Sequence, residues 1–147
     1  MMPEQAIDIG FQVQSIRVSD FNFHEAANPN LEHVGFKIQL QHAWVAGTED
    51  WLVSVQVSLG VADDSPPMTQ LTVECMYRLT GYSEWLRQQD PSHTDQSPYL
   101  PGGLAVTLNS ISLSTTRGIL FERLAGTNLH QIILPIIDPM QFQIADL

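Results

Sequence analysis

Alternation of apolar and polar residues in the middle of the chain predicts three strands. In residues 36–44, 51–59 and 71–79 every second residue is apolar, apart from His42, and most residues between are polar. This is the pattern of a strand with one buried face. Two short polar connectors, AGTED and ADDSPP, separate the segments. Consecutive strands with short connectors and one apolar face each predict an antiparallel meander.

The segment before these strands predicts a fourth strand that is less regular. Its apolar residues come in pairs, and the alternation slips between one pair and the next, near Ser15 and Asp20. The pairs are Phe11 with Val13, Ile16 with Val18, and Phe21 with Phe23. A slip of one residue would turn the buried face outward, and β-bulges are the usual correction in a long edge strand. We therefore predict a bent strand.

Residues 104–124 predict a long helix with two apolar stripes on nearly opposite sides. One stripe contains Leu104, Leu108, Ile111, Thr115 and Ile119, and the other contains Val106, Leu113, Leu120 and Leu124. A helix can bury only one of two opposed stripes on its own sheet, so we expect the second stripe at an interface between subunits. A helix enclosed within one subunit and an irregular strand are the alternatives, because Ser, Thr and Val are mediocre helix formers.

The remaining segments predict a crossover loop and an apolar tail. Residues 81–103 are rich in turn-forming residues but also carry large apolar side chains, so this loop should pack on the rest of the chain. After Gly126 the sequence LHQIILPII predicts an extended aliphatic segment. Asp138 followed by Pro139 predicts the start of a short C-terminal helix. We expect a single domain over residues 1–147, with residues 1–9 flexible.

Charge excludes nucleic acid as the partner. The chain has 16 acidic and 6 basic residues and a formal net charge of -10, whereas binding to phosphates requires a basic surface. The acidity suits either a basic protein partner or solubility. The chain has no apolar run long enough to insert in a membrane, and its first residues lack the pattern of a signal peptide. We expect a cytoplasmic protein.

The residue types that carry chemistry form no recognisable site. Motifs for phosphate binding, for a hydrolase nucleophile and for a zinc protease are absent from the sequence. His24, His33 and His42 have no carboxylate spaced to complete a metal site. Cys75 lies on the apolar face of a strand, where a cysteine is a small core residue. We therefore expect no enzyme activity, no metal and no cofactor.

Two stretches and the order of elements resemble the SecB family of export chaperones and its SecB-like relatives. The first stretch is FQVQSIRVSDFNF, at residues 11–23. The second is the Ser- and Thr-rich run that ends in Arg117-Gly118, followed by an aliphatic segment, two prolines and Phe142. The resemblance implies an α+β fold with a four-stranded antiparallel sheet, and a long helix and a short C-terminal helix on one face. It also implies a homotetramer, a dimer of dimers joined through the long helix.

The resemblance further implies a function: holding unfolded polypeptides in apolar grooves beneath the crossover loop, without ATP. The client-binding candidates are Tyr82, Trp85, Leu86, Tyr99, Leu100, Met140 and Phe142. In the family the acidic outer face of the sheet docks the export motor SecA. Asp20 and Glu74 match docking positions, and His24 stands where the family has an acid, with Glu25 adjacent. The oligomer interface would use Val106, Leu113, Leu120 and Leu124.

Two other function classes stay open. The first is a dedicated module that binds a single partner on the same scaffold, such as an antitoxin-associated chaperone. The second, less favoured, is a small-molecule binding protein or enzyme with its site between helix and sheet. Binding to many unrelated clients would separate the chaperone from the first class. A focused cluster of titratable groups with shifted pKa values would favour the second.

Overall fold

Four antiparallel strands form one sheet in the order β1-β4-β3-β2, so β1 and β2 are its edges. The computed structural model describes residues 8–24, 34–61, 67–89 and 99–138. Its elements are β1 (Gly10–Phe23), β2 (Gly35–Trp44), β3 (Asp50–Gly60), β4 (Thr69–Thr80), α1 (Tyr82–Gln89) and α2 (Gly102–Leu124). The predicted α+β arrangement is confirmed, while the C-terminal helix expected from Pro139 lies outside the described residues.

The irregular first strand has two bulges where the alternation slips. Its pairing with β4 shifts register between Val13 and Ser15 and again between Val18 and Asp20. Each bulge adds one residue to β1, so the apolar pairs before and after it keep the same face. Phe11 lies opposite Leu79, Ile16 opposite Cys75 and Phe21 opposite Leu71, and these β4 partners are all buried. The predicted slips are therefore confirmed.

Helix α1 begins the segment that the sequence predicted as a crossover loop. Gly81 has a φ of 88°, a left-handed conformation that glycine adopts without strain, and it separates β4 from α1. Tyr82 and Leu86, four residues apart on α1, are both buried. They lie one above the other on the helix and fix it to the core.

Helix α2 lies over β3 and β4, and its buried face differs from the one predicted. The middle of that face is a row of small residues, namely Ala105, Asn109, Ser112 and Thr116, and leucines from both predicted stripes flank it. Short side chains let the helix approach the sheet closely, so the leucines on both sides reach the core. The strand alternative for this segment is wrong.

Three of the four residues expected at a subunit interface are therefore covered by their own chain. Leu113, Leu120 and Leu124 are 2%, 0% and 0% exposed, and Val106 is half-buried. A single subunit does bury leucines of both stripes, because the stripes flank one buried face, so the predicted position of the interface is wrong for these three leucines. Whether α2 joins subunits stays a prediction, and it now concerns the outward face of the helix.

Candidate functional site

Five aromatic side chains form a connected group at one end of the sheet, and we call it the aromatic cluster. It consists of Trp44 on β2, Trp51 on β3, Tyr82 and Trp85 on α1, and Tyr99 shortly before α2. The ring of Tyr82 lies between 5.8 and 6.1 Å from those of Trp44, Trp51 and Trp85. Trp85 then meets Tyr99 edge-on at 5.5 Å. These are favourable distances for aromatic pairs.

Tyr82 is the buried anchor of the aromatic cluster. Its side chain is 0% exposed, and its hydroxyl donates a hydrogen bond to the carbonyl of Tyr99 at 2.7 Å. Burial raises the pKa of Tyr82 to about 12, so the hydroxyl keeps its proton at physiological pH. The bond ties α1 to the residues that precede α2, and so the two outer rings, Trp85 and Tyr99, are attached to a rigid base.

The accessible part of the aromatic cluster consists of Tyr99, Trp85 and Trp44. Tyr99 is 40% exposed, and Trp85 and Trp44 are half-buried. The indole nitrogen of Trp44 donates to the carbonyl of Thr48 at 2.8 Å, which fixes its ring above the turn between β2 and β3. Sequence reasoning missed Trp44 as a site residue. The sequence offers one signal for it. Trp44 is the last apolar residue of β2, at the end of the strand where the layer packed on the sheet ends.

A buried hydrogen-bonded network lies next to the aromatic cluster. The indole nitrogen of Trp51 donates to Nδ1 of His42 at 2.7 Å, so Nε2 carries the proton and donates to Oδ1 of Asn109 at 2.6 Å. His42 is 2% exposed, and burial lowers its pKa. The network connects β2, β3 and α2 through a neutral imidazole. His42 is therefore a structural core residue.

A second polar contact attaches α2 to β4. The hydroxyl of Tyr77 lies 2.7 Å from Oγ of Ser112 and donates to the carbonyl of Leu108 at 3.4 Å. Burial raises the pKa of both Tyr77 and the Cys75 thiol. These groups are buried between sheet and helix and stay neutral. They hold α2 in place. In the part of the chain that the structure describes, no cluster of His, Cys, Asp and Glu side chains could hold a metal ion.

The architecture matches a solved structure of known type. It resembles the Rv1957 SecB-like chaperone of Mycobacterium tuberculosis, determined in complex with a ChAD peptide from the Rv1956 HigA1 antitoxin. The TM-score is 0.54 at 12% sequence identity, and the match covers 87% of this chain and 86% of that chain. This chain has the SecB-like fold. No protein-family model matches the sequence, and no match was found among curated proteins.

On this SecB-like fold the predicted client-binding residues divide into a buried and an accessible group. Tyr82, Leu86 and Leu100 are buried and support the surface without forming it. Trp85 and Tyr99 are accessible and lie together. Met140 and Phe142 lie outside the described residues. The candidate site is therefore the accessible side of the aromatic cluster, completed by Trp44.

The outer face of the sheet, where the resemblance implied an acidic docking surface, has balanced charge among the described strand residues. Glu74 forms an ion pair with Arg17 on the neighbouring strand, and Asp50 pairs with Arg78 at 3.4 Å. The remaining charged residues of this face are Asp20 and Lys37. Half of the acidic residues of the chain, including Glu25, lie outside the described residues, but none of the basic ones does. The described strand residues of this face thus carry as many basic as acidic side chains, and docking of SecA stays a prediction.

No helix in the described ranges is long and apolar enough to cross a membrane.

Proposed function

We propose that this protein is an ATP-independent chaperone that holds extended or unfolded segments of other polypeptides on the aromatic cluster. The observation that carries the proposal is the set of accessible rings, Trp44, Trp85 and Tyr99, around the buried Tyr82, in a chain with the SecB-like fold. We further propose that the protein acts in the cytoplasm without a cofactor.

The chemistry of the aromatic cluster suits ligands of varied sequence. Aromatic rings offer a large apolar area with few rotatable bonds. The hydrogen bond from Tyr82 to the backbone of Tyr99 holds the base of the aromatic cluster in place, and the bond from Trp44 to the backbone of Thr48 fixes the Trp44 ring. A preorganised surface loses little entropy on binding. Accessible rings of this kind bind apolar side chains without selecting one sequence, which is the property that a chaperone for unfolded clients requires.

Suppression of aggregation tests the proposal. The protein should delay the light scattering of several unrelated refolding proteins without ATP, and it should bind their folded forms weakly or not at all. The double variant Trp85→Ala/Tyr99→Ala should lose most of this effect. Val61→Ala is the matched control, because Val61 is exposed just after β3, outside the aromatic cluster and outside the surfaces proposed for assembly. No delay by the wild type with any of several clients would contradict the proposal.

A dedicated single-partner chaperone is the second candidate. The observation that favours it is the peptide in the structural neighbour, which derives from an antitoxin. In this case the same rings would bind one defined segment tightly. Protection of one protein and indifference to unrelated clients, in the same light-scattering assay, would favour this candidate over the general chaperone.

We also propose a homotetramer, because two separate surfaces, one lined mainly by small residues and one apolar, are available for a dimer of dimers. One is the outward face of α2, which presents Ser110, Ser114, Gly118 and Phe121. The other is the first half of β1, where Phe11, Val13 and Ile16 are 43%, 41% and 51% exposed. A dimer of dimers requires two different self-complementary interfaces. Light scattering of the purified protein measures its mass directly, and a monomeric mass would contradict the assembly.

A further inference from the structure

A row of ring contacts leads from the buried His42 to the accessible side of the aromatic cluster. His42 meets the ring of Trp51 edge-on at 5.8 Å, and Trp51 meets Tyr82 in the same way, also at 5.8 Å. Tyr82 then stacks on Trp85 at 6.0 Å. His42, Trp51 and Tyr82 are 2%, 1% and 0% exposed. In such a close-packed interior the position of Tyr82 depends on Trp51, and the position of Trp51 depends on His42.

The hydrogen bond between His42 and Trp51 requires a neutral imidazole. Nδ1 of His42 accepts from the indole nitrogen of Trp51 at 2.7 Å, and Nε2 lies 2.6 Å from the amide oxygen of Asn109. An indole nitrogen can only donate, so Nδ1 has to offer its lone pair. A proton on Nδ1 would remove that lone pair and place two donors opposite each other.

Protonation of His42 would therefore move at least one of the two rings. If the imidazole turns away, it also loses the bond to Asn109, and if the indole of Trp51 moves, it displaces Tyr82. Strands β2 and β3 are paired with each other along their length. Helix α1 has only eight residues and is attached through the buried Tyr82 and Leu86. We therefore expect the displacement to fall on α1, which carries Trp85.

Among the residues that the structure describes, His42 is the group of this core that titrates near neutral pH. The other titratable groups packed here are Cys75 and Tyr77 on β4 and Tyr82 on α1, and burial raises the pKa of each. The first fifteen residues of α2 carry no charge. The charged residues of the other surrounding elements lie on the outer face of the sheet, in the turn before β3 or on the exposed side of α1: Lys37, Glu49, Asp50, Glu74, Arg78, Glu84 and Arg87.

We propose that His42 is a positioning residue that couples proton binding to client binding by the aromatic cluster. While the imidazole is neutral, Trp51 supports the Tyr82 anchor and the cluster holds a client. Protonation displaces the anchor and weakens the hold. His42 touches no client itself and acts through Trp51. The inference rests on the proposed function, because its ligand is the client of the aromatic cluster.

The direction of the effect follows from the burial of His42. Its pKa is lowered from the ordinary value of 6.5, so the imidazole is neutral at pH 7.5 and binds a proton only under more acidic conditions. Client affinity should therefore be constant above about pH 6.5 and should decrease below it, by at most about tenfold per pH unit for a single proton. By reciprocity, a bound client makes the imidazole harder to protonate.

Binding of a labelled peptide at two pH values tests the coupling. The probe is a capped, rhodamine-labelled peptide of Leu, Phe, Ser and Gln residues, which has no group that titrates between pH 5 and 8. Fluorescence anisotropy should show that the wild type binds it about three- to tenfold more weakly at pH 5.5 than at pH 7.5. His42→Gln should bind it equally at both, because a side-chain amide can accept from Trp51 and donate to Asn109 but does not titrate.

His130→Gln is the matched control for the loss of a histidine. His130 is exposed in the turn after α2, whereas the aromatic cluster lies before the start of this helix. Its 23 residues separate the two places by about 34 Å. His130→Gln should therefore keep the pH dependence of the wild type.

Two results would overturn the coupling by His42. One is equal probe binding at both pH values by the wild type, with circular dichroism showing it folded at both. The other is a folded His42→Gln variant that keeps the pH dependence of the wild type. Absence of probe binding at pH 7.5 would instead contradict the proposed function, and this inference with it, so the two failures are distinguishable.

A second measurement decides the question if His42→Gln does not fold. The pKa of His42 in the wild type is followed by the NMR signals of its imidazole, with and without saturating probe. The probe should lower this pKa by the logarithm of the ratio of its affinities for the neutral and the protonated form. The pKa of His130 should not change. A pKa of His42 that the probe leaves unchanged would overturn the proposal.

Discussion

The imidazole of His42 on β2 donates a hydrogen bond to the amide oxygen of Asn109 on α2, at 2.6 Å, inside the core. The other ring nitrogen accepts from Trp51, so the neutral ring satisfies both neighbours. A protonated ring would place two N–H groups opposite each other at Trp51. The first fifteen residues of α2 carry no charge, and the titratable groups nearby, Cys75 and Tyr77, are neutral. No described group close to His42 would therefore compensate the positive charge of a protonated imidazole.

We expect His42 to make the fold acid-sensitive. Its pKa is lowered in the folded state from the ordinary value of 6.5, so the unfolded chain binds the proton more readily. Its contribution is therefore complete above about pH 6.5 and decreases as the pH falls towards the folded pKa, by about 1.4 kcal/mol per pH unit. Urea unfolding at pH 7.5, 6.5 and 5.5 measures this slope. His42→Gln should have a shallower slope, and equal slopes for both proteins would contradict the role of His42.

The buried leucines of α2 should respond as core residues. Leu120→Ala removes a side chain that is 0% exposed, and such a cavity costs about 2–5 kcal/mol of unfolding free energy. Phe121→Ala, one residue further and 53% exposed, should change it by less than ~0.5 kcal/mol in the monomer. Chemical denaturation at low protein concentration compares the two. A small effect of Leu120→Ala would mean that the helix is turned differently on the sheet.

How far the sequence predicted the fold differs between β1 and α2. The bulges of β1 can be predicted from the sequence. Each apolar pair has to return to the same face of the sheet, and a β-bulge between the pairs is the way to achieve this. The helical wheel of α2 was misleading, because it showed directions but not the distance between helix and sheet. The small row around Ser112 decides that distance, and it brings leucines of both stripes into the core. The distance between a helix and a sheet depends on tertiary packing, and the periodicity of apolar residues in the sequence does not show it.

The candidate site was predictable only in part. Trp85 and Tyr99 were found because large aromatic residues in a turn-rich loop require a packing partner. The buried role of Tyr82 depends on its hydrogen bond to Tyr99, which spans seventeen residues. The pairing of Glu74 with Arg17 depends on the register between β1 and β4. Such relationships between distant residues leave no local pattern in the sequence.

Substitutions of Gly118 test whether the outward face of α2 is free or contacts another subunit. An added Cβ at this position would meet no atom within 4 Å, so nothing described in the subunit requires glycine. In a monomer Gly118→Ala should stabilise the exposed helix by up to ~1 kcal/mol, because alanine is the better helix former. If another helix packs closely here, Gly118→Trp should separate the assembly. Light scattering and thermal unfolding of both variants measure the two effects. A tetramer unaffected by Gly118→Trp would exclude this face as its interface.

The ion pair between Arg17 and Glu74 gives docking to a basic partner such as SecA a specific test. Arg17 is largely exposed, and surface pairs of this kind contribute at most about 1 kcal/mol, so a stronger cationic partner can displace it. Arg17→Gln should free Glu74 and tighten binding to the basic segment of the partner about two- to fivefold, a factor typical of one exposed charge contact.

Asp20→Lys should weaken the same interaction, and both effects should fade as salt rises past roughly 0.15 M, where charges more than about 8 Å apart are screened. A binding titration at low and high salt measures them, with Lys37→Gln on the far edge strand β2 as the control for net charge. If Lys37→Gln strengthens binding as much as Arg17→Gln does, only overall charge matters and the β1–β4 face is not the docking surface. If the wild type shows no salt-sensitive association, the export role fails, and the proposed chaperone would act without docking to a motor.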